Sequence, residues 1–413
     1  MLALFAAAMP LRIPMDNPVF HSISILDIIL CFAAVTLALD CALHPLNIGY
    51  RPLFTLLCVP LLVCGISVAW SQDRFATLRA TTVYAEGIIA YLFVLRELGG
   101  ASPTRVIVYV KRYSYLLIIP AVLLLLHVPG FAPQEPDLPR TSGDYLSYYS
   151  RLSHPVLGRS NNLATVLAFF VPLLFYWGHA RHDRRFMRAG WITLVAVVCT
   201  MSRGVIFALL AVALIAALSS LIRSRWIDSR TVGKIAAGVA VVTTAIVFFQ
   251  RFNPSARKFI SERFSESNIT IRSDLARKAL GEIAARPLLG YGGGVAPDRD
   301  RRLPIDVHNT YLQQMVYFGL LLGLVVSLVL IGTAIFFFSR WRIGTINRVI
   351  GFSLMAQMLI FLTESSFEGT VLRVIFYMSI GLAAALARAC EGERRGEGVS
   401  APVPRHSGLT PGP

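Results

Sequence analysis

Long apolar runs are the feature that most constrains what this chain can fold into. A helix needs about 20 consecutive apolar residues to cross the hydrocarbon core of a bilayer, and about twelve stretches approach or reach that length. Charged residues make up only 15% of the sequence, against about 25% in soluble domains. The sequence therefore predicts an all-α polytopic membrane protein with about twelve transmembrane helices, at residues 2–15, 20–42, 51–70, 76–95, 108–128, 160–178, 189–202, 204–222, 232–250, 309–338, 348–364 and 370–388.

The loops between these runs carry most of the net charge of +16. With twelve spans, the short loops rich in Lys and Arg all fall on one side, at residues 96–112, 181–188, 223–234, 340–348 and in the segment after 388. The positive-inside rule identifies that side as the cytoplasm, which puts both termini there. The same rule explains the positive net charge, so nucleic-acid binding is not needed to account for it. The sequence also has no basic helix and no motif of a nucleic-acid reader.

Two predicted outer segments are long, and the second is the more informative. With this segment as a boundary, the chain is predicted to divide into four parts. They are transmembrane helices one to nine (1–250), a large periplasmic loop domain (251–308), helices ten to twelve (309–390) and a disordered, Pro- and Gly-rich cytoplasmic tail (391–413). Within the loop domain an amphipathic helix is predicted, because Ile271, Leu275, Ala279 and Ile283 recur every four residues. Pro287 ends it, and the segment "LLGYGGG" is expected to be a flexible connection.

His308, in "DVHNTYLQQ", falls on the outer side at the first turn of the tenth span. The partial positive charge of a helix N-terminus disfavours imidazolium, and a neutral imidazole can accept a proton. Asp306 acts in the opposite direction, so the sequence leaves the protonation state open. The alternative is a polar residue at the membrane boundary. Asn309 and Glu364, at the outer end of the eleventh span, are candidate supporting residues.

Arginines on the outer side form the second candidate group, since the guanidinium suits bidentate contact with phosphate. The candidates are Arg74, Arg151, Arg159, Arg203, Arg272 and Arg373. Lipid headgroup anchoring or loop ion pairing is the alternative, and it is favoured for Arg74, Arg151 and Arg373. Arg203 is different, because the tight turn "MSRG" between two spans has little use for a charge that binds nothing.

Other polar features have simpler explanations. Arg79 and Glu86, which share a helix face, and the further intramembrane acids Asp27 and Asp40 are interpreted as structural, although a transporter would use them along a path. The Gly-rich segment lacks the Lys-Ser/Thr of a P-loop, and no outer cluster has the ligand set for a metal ion. The six cysteines form no CxxC pair and are expected to pack as small apolar residues.

Four sequence elements, in order, resemble the O-antigen ligase family, which is related to the O-antigen polymerases. "GRSNNLATVLAFFVPLL" is similar to the family's Gly-x-x-Asn element, and "CTMSRGVIFALL" to its Ser-Arg-Gly turn. "IRSDLARKALGEIAARPLLGYGGG" is similar to its periplasmic helix with Pro-Leu-Leu-Gly-x-Gly, and "HNTYLQQMVYFG" to its His-Asn element. The sequence "GLLLGLV" departs from one version of the last motif, so its threonines have no counterpart here.

The resemblance implies an enzyme of the Gram-negative inner membrane. Such a glycosyltransferase of lipopolysaccharide biosynthesis transfers polysaccharide from undecaprenyl pyrophosphate to lipid A–core at the periplasmic face, without cofactor or metal. Carried onto this sequence, His308 matches the essential histidine, and Arg203 and Arg272 match arginines proposed to hold the pyrophosphate. Arg151 and Arg159 are further candidates for that site, and Arg74, Asn309 and Glu364 for its support.

Two other functions remain open from the sequence. An O-antigen polymerase would share the fold and donor but join two lipid-linked glycans. The nearly charge-balanced first outer loop favours a ligase over a polymerase. A transporter or lipid flippase would form no glycosidic bond. Membrane lipids, the lipid-linked donor and the lipid A–core acceptor are the expected partners.

Overall fold

A computed structural model describes residues 12–14, 22–43, 47–126, 152, 160–223, 266–295, 307–363 and 370–395. These ranges hold a short antiparallel ribbon, β1 (Arg12–Pro14) and β2 (Ser22–Ser24), and eleven helices. The helices are α1 (Ile25–Leu43), α2 (Arg51–Ser67), α3 (Arg74–Leu98), α4 (Pro103–Leu125), α5 (Ser160–Ala180), α6 (Arg184–Cys199), α7 (Arg203–Arg223), α8 (Glu266–Ala285), α9 (Thr310–Ser339), α10 (Thr345–Phe361) and α11 (Thr370–Arg395).

The helical, membrane-type architecture is confirmed, although the number of spans is not settled. Each described helix except α8 coincides with a predicted span, and α8 is the predicted amphipathic helix. Five helices are long and apolar enough to cross a membrane: α3, α4, α5, α9 and the Leu372–Arg395 part of α11. Four shorter apolar helices lie at Leu30–Leu39, Arg51–Ser67, Arg203–Leu218 and Thr345–Phe361. The ninth predicted span, 232–250, lies outside the described residues, as does the first apart from β1.

The start of the chain differs from the prediction where it is described. Residues 12–14 and 22–24 were predicted inside the first two spans, but they pair as strands, with Ile13 opposite Ile23. Pro14 lacks the N–H that a helix interior needs. The helix of the second span consequently begins at Ile25 rather than near residue 20.

Capping side chains fix where several helices begin. Asp73 accepts a hydrogen bond from the backbone N–H of Ala76 at 3.0 Å, and Asp183 does so from Arg185 at 2.8 Å. Such caps satisfy backbone donors that the first turn leaves unpaired. They set the start of α3 and α6, and therefore the positions of the turns before them.

Polar contacts at one end of the bundle connect four parts of the chain. Arg181, in the turn between α5 and α6, pairs with Glu393 near the end of α11 at 2.8 Å. Arg340, between α9 and α10, pairs with Glu391 at 3.2 Å and lies 4.4 Å from the ring centroid of Tyr50, just before α2. We call this the basic end, since it is where the Lys- and Arg-rich loops meet.

The opposite end of the bundle holds the starts of α3, α7 and α11 and the ends of α2, α6 and α10. We call it the site end. α3 and α11 run parallel from it and pack closely, since a Cβ added at Gly87 would lie 2.6 Å from the ring of Tyr377. Small residues allow such close approach between membrane helices. Helix directions are described below relative to the basic end and the site end.

Candidate functional site

Helix α9 is broken at Gly319. This residue has φ 76° and ψ 175°, which is far from helical geometry, and the chain turns sharply there. A Cβ added at Gly323 would lie 2.4 Å from the Cα of Met315, so the two halves of α9 pack against each other. The predicted tenth span, 309–338, was therefore wrong as one continuous helix. The second half alone, residues 320–339, is about 30 Å long at 1.5 Å per residue.

The segment "PLLGYGGG" pairs with the broken backbone of α9. The N–H groups of Tyr291 and Gly292 donate to the carbonyls of Val316 and Tyr317, at 3.2 and 2.8 Å. The N–H of Leu320 donates to the carbonyl of Pro287 at 2.7 Å. The prediction of a flexible connection was wrong, because these glycines let one backbone contact another.

Between Asn309 and the break lies a short half-helix, residues 310–318, at whose start His308 is placed. Asn309 is its N-cap and accepts a hydrogen bond from the N–H of Leu312 at 3.0 Å. His308 precedes the cap in a left-handed conformation, φ 49°, which is uncommon for a residue with a side chain. Its ring is half-buried and its Nδ1 atom is shielded from solvent. The hydroxyl of Tyr311 donates to the carbonyl of Met358 on α10 at 2.9 Å, which fixes the half-helix to the bundle.

The amphipathic helix α8 brings Arg272 to the site end. Its Nη1 donates to the carbonyl of Thr363, just after α10, at 2.9 Å. The predicted apolar stripe is confirmed in part, because Ala279 and Ile283 are buried in one cluster with Val307 and Val316. Leu275 is half-buried, and the side chain of Ile271 lies outside the description.

Tyr291 ties α8 to the Gly-rich segment. Its hydroxyl donates a short hydrogen bond to Glu282 on α8, and the guanidinium of Arg286 lies 4.8 Å from its ring centroid. Burial, together with the hydrogen bond to Glu282 and its negative charge, raises the pKa of Tyr291 to about 12. The phenol therefore stays protonated and keeps donating to the carboxylate at neutral pH.

Arg203 is the first residue of α7, directly after the tight turn at residues 200–202. The hydroxyl of Thr200 accepts from the N–H of Ser202 at 3.3 Å, and Met201 has φ 53°. Because α5 ends at the basic end, α6 returns and α7 starts at the site end. Arg203 is half-buried there, at the same end as Arg272 and His308.

Arg373 is a buried arginine whose importance the sequence interpretation underestimated. Headgroup anchoring or loop ion pairing was favoured for it, yet it is only 4% exposed. Its guanidinium carbon lies 4.4 Å from the ring centroid of Tyr84, and Nη1 is 3.5 Å from the carbonyl oxygen of Ala80. The hydroxyl of Tyr84 in turn donates to Gln314 at 3.4 Å. A buried cation is thus connected to the half-helix that follows His308, which only the packing of α3 beside α11 could show.

The remaining sequence candidates divide into two groups. Arg74 begins α3 and is exposed at the site end, where it is available to solvent or headgroups. Arg151, Arg159 and Glu364 lie outside the described residues. In the described ranges, no three His, Cys, Asp or Glu side chains are grouped so as to hold a metal ion.

Residues 188–327 match the family model described as O-antigen ligase. Over this range the chain is similar to the O-antigen ligase family. The matched range contains Arg203, Arg272, His308 and the break at Gly319. None of the curated proteins compared with the chain matches it.

The similarity to the O-antigen ligase family suggests what chemistry the site end could support. Two half-buried guanidinium groups, at Arg203 and Arg272, offer positive charge near the end of the apolar helices. His308 supplies an imidazole on a backbone fixed by a cap. Cations and a proton acceptor at one end of a membrane bundle suit a reaction in which an anionic leaving group departs while a hydroxyl loses its proton.

Proposed function

We propose that this protein is an O-antigen ligase of the Gram-negative inner membrane. It transfers a polysaccharide from undecaprenyl pyrophosphate to a sugar hydroxyl of lipid A–core at the periplasmic face, with inversion at the anomeric carbon. The observation that carries the proposal is the family match over residues 188–327. That range includes both arginines and the histidine, and they share the end of the bundle opposite the Lys- and Arg-rich loops.

The donor carries the energy for the reaction, because a prenyl diphosphate is a good leaving group. The oxygen of the acceptor hydroxyl attacks the anomeric carbon, and the bond from that carbon to the diphosphate oxygen breaks. The hydroxyl proton passes to the His308 imidazole, and undecaprenyl pyrophosphate leaves. A single displacement of this kind inverts the anomeric configuration. The proposed reaction consumes neither a nucleotide sugar nor ATP.

In this proposal the arginines bind the diphosphate and stabilise the charge that grows on it. Fixed cations facing a developing anion contribute more than mobile ones, because they need no reorganisation during the reaction. Arg272 is held toward α10 through Thr363, and Arg203 is placed by the turn before α7. General-base assistance by His308 is worth roughly 10²- to 10⁴-fold.

Transfer by the purified protein in detergent is the direct test. Incubation with lipid-linked glycan and lipid A–core should yield glycan attached to the core, without ATP and in the presence of a chelator. Growth of glycan on the lipid-linked donor would identify a polymerase instead. Absence of any new glycosidic bond, with folded protein, would leave the transporter interpretation.

Two variants separate the proposed roles of the site residues. His308→Ala should lower kcat by at least 10²-fold with donor affinity retained. Arg272→Ala should weaken donor binding, and Arg277→Ala is the matched control, since Arg277 lies on the same helix, is 80% exposed and pairs with Asp274 at 3.5 Å. Equal donor affinity of the two arginine variants would refute the diphosphate assignment for Arg272.

A further inference from the structure

We propose that the Pro287–Gly293 segment and the break at Gly319 form a backbone clasp that positions His308, and that Gly290 and Gly319 are positioning residues for the transfer reaction. This inference rests on the proposed function for its activity readout, but its structural part can be tested without it. Clasp here means residues 287–293 together with residues 316–320.

The hydrogen bonds of the clasp replace those that α9 loses. In a continuous helix the N–H of Leu320 would donate to Val316, and that of Leu321 to Tyr317. Here the carbonyls of Val316 and Tyr317 accept from the Gly-rich segment, and Leu320 donates to Pro287. Non-helical backbone at membrane depth is tolerated only where protein satisfies it. The Pro287–Gly293 segment therefore supplies hydrogen-bond partners for the backbone groups that the break leaves without helical partners.

Glycine is required on both sides of the contact. A Cβ at Gly290 would lie 2.5 Å from the nitrogen of Gly319 and from the oxygen of Tyr317. A Cβ at Gly319 would lie 2.4 Å from the carbonyl oxygen of Leu288. Both residues also have positive φ, 64° and 76°, which side chains other than glycine's disfavour. The neighbouring atoms are backbone, so they cannot move aside as a side chain would.

The clasp is anchored to the end of α2 and to the short connection between α2 and α3. The indole N–H of Trp70 donates to the carbonyl of Leu289 at 2.7 Å, and the N–H of Gln72 to that of Tyr291 at 3.1 Å. The N–H of Gly293 donates to the hydroxyl of Ser67, the last residue of α2, at 3.3 Å. The position of the break is thereby fixed relative to α2 and α3.

The position of the break decides where His308 lies. The half-helix from Thr310 to the break is about 14 Å long, and it folds back along the second half of α9. A continuous α9 would carry His308 up to about twice that length, roughly 28 Å, from its present place. Misplacing a catalytic group by even about 1 Å can cost roughly 10²-fold in rate. Small errors in the clasp should therefore affect the chemical step more than donor binding.

The test compares Gly290→Ala and Gly319→Ala with the matched control Gly281→Ala, all in the full-length protein. Gly281 lies on α8, and apart from its chain neighbours and the backbone of its own helix no described heavy atom comes within 4 Å of a Cβ built there. The two clasp variants should lose about 10²-fold in kcat with donor KM within about threefold of wild type, while the control keeps both. Wild-type kcat in folded Gly290→Ala and Gly319→Ala protein would overturn the inference.

Hydrogen exchange on the wild-type protein keeps the inference testable if these variants fail to fold. The amides of Tyr291, Gly292 and Leu320 should exchange at least 10²-fold more slowly than those of Leu288 and Leu289, two exposed residues of the same segment. Exchange at the rate of exposed amides would refute the clasp, whether or not the protein transfers glycan. Conversely, a protected clasp in a protein that forms no glycosidic bond would refute the proposed function and the positioning role, and leave the clasp as architecture.

Discussion

Replacing Asn309 by Ala distinguishes a capping role for this residue from a chemical one. In the structure Asn309 has extended backbone geometry, φ −149° and ψ 110°, and its side-chain oxygen accepts from the N–H of Leu312 at 3.0 Å. Loss of such a cap costs about 1 kcal/mol, which corresponds to about a fivefold change in a local equilibrium. The half-helix that it caps is too short to be stable alone, since isolated helices below about 12 residues are marginal.

That magnitude sets an upper limit on the functional effect of a lost cap. If Asn309 acts only by capping, the Ala variant should lose no more than about fivefold in kcat. The amide of Leu312 should exchange up to about fivefold faster. Asn309→Ser should restore both values, because a serine hydroxyl caps about as well as asparagine.

The assay is glycan transfer and hydrogen exchange on the same preparations of wild type, Asn309→Ala and Asn309→Ser. A loss above 10²-fold in both variants would refute the capping argument. It would mean that the Asn309 amide contacts a substrate or the His308 ring. An unchanged exchange rate at Leu312 in the Ala variant would show that the cap does not hold the half-helix.

Two further predictions follow from buried groups near the site. Arg373→Met should lower thermal stability, because a desolvated cation–π contact such as that with Tyr84 is worth roughly 2 kcal/mol; an unchanged melting temperature would contradict the burial of Arg373. The stability of the wild-type protein should fall as the pH rises from about 10 to about 12, because the pKa of Tyr291 is raised to about 12 and only the unfolded chain loses that proton in this window. Thermal unfolding of Tyr291→Phe across the same range should show a smaller fall.

The sequence was sufficient to predict the helices because hydropathy is a local property. Each described span follows from an apolar run that can be read without knowing its neighbours. The amphipathic helix was predicted for the same reason, and Ala279 and Ile283 are buried on its expected face. The N-cap at Asn309 could also have been read locally, since Asn before an apolar run is a start signal.

The break in α9 could not be predicted in this way, because its cause is distant in the chain. Gly319 and Gly323 in "GLLLG" suit a helix packing face equally well, and Gly319 leaves the helix only because Leu288 and Gly290 contact it. The sequence did contain a partial signal for the break. Glycines cluster around Gly290 in the predicted loop domain and around Gly319 in the span that follows it. Arg373 was misjudged for a related reason, since its burial depends on α3 lying beside α11.

The two ends of the bundle differ in the charged groups that they bury. At the basic end the ion pair of Arg181 with Glu393 is about half exposed, where such pairs contribute little, and the largely buried Arg340 has the carboxylate of Glu391 as its partner. The site end instead holds a buried cation, Arg373, and a helix whose backbone is open at Gly319. Both features are expensive in a membrane unless other groups satisfy them. A continuous α9 would span the bilayer without this cost, so spanning does not explain the break. What the break does achieve is to fold the His308-bearing half-helix back onto the bundle, where it contacts Tyr84 and α10.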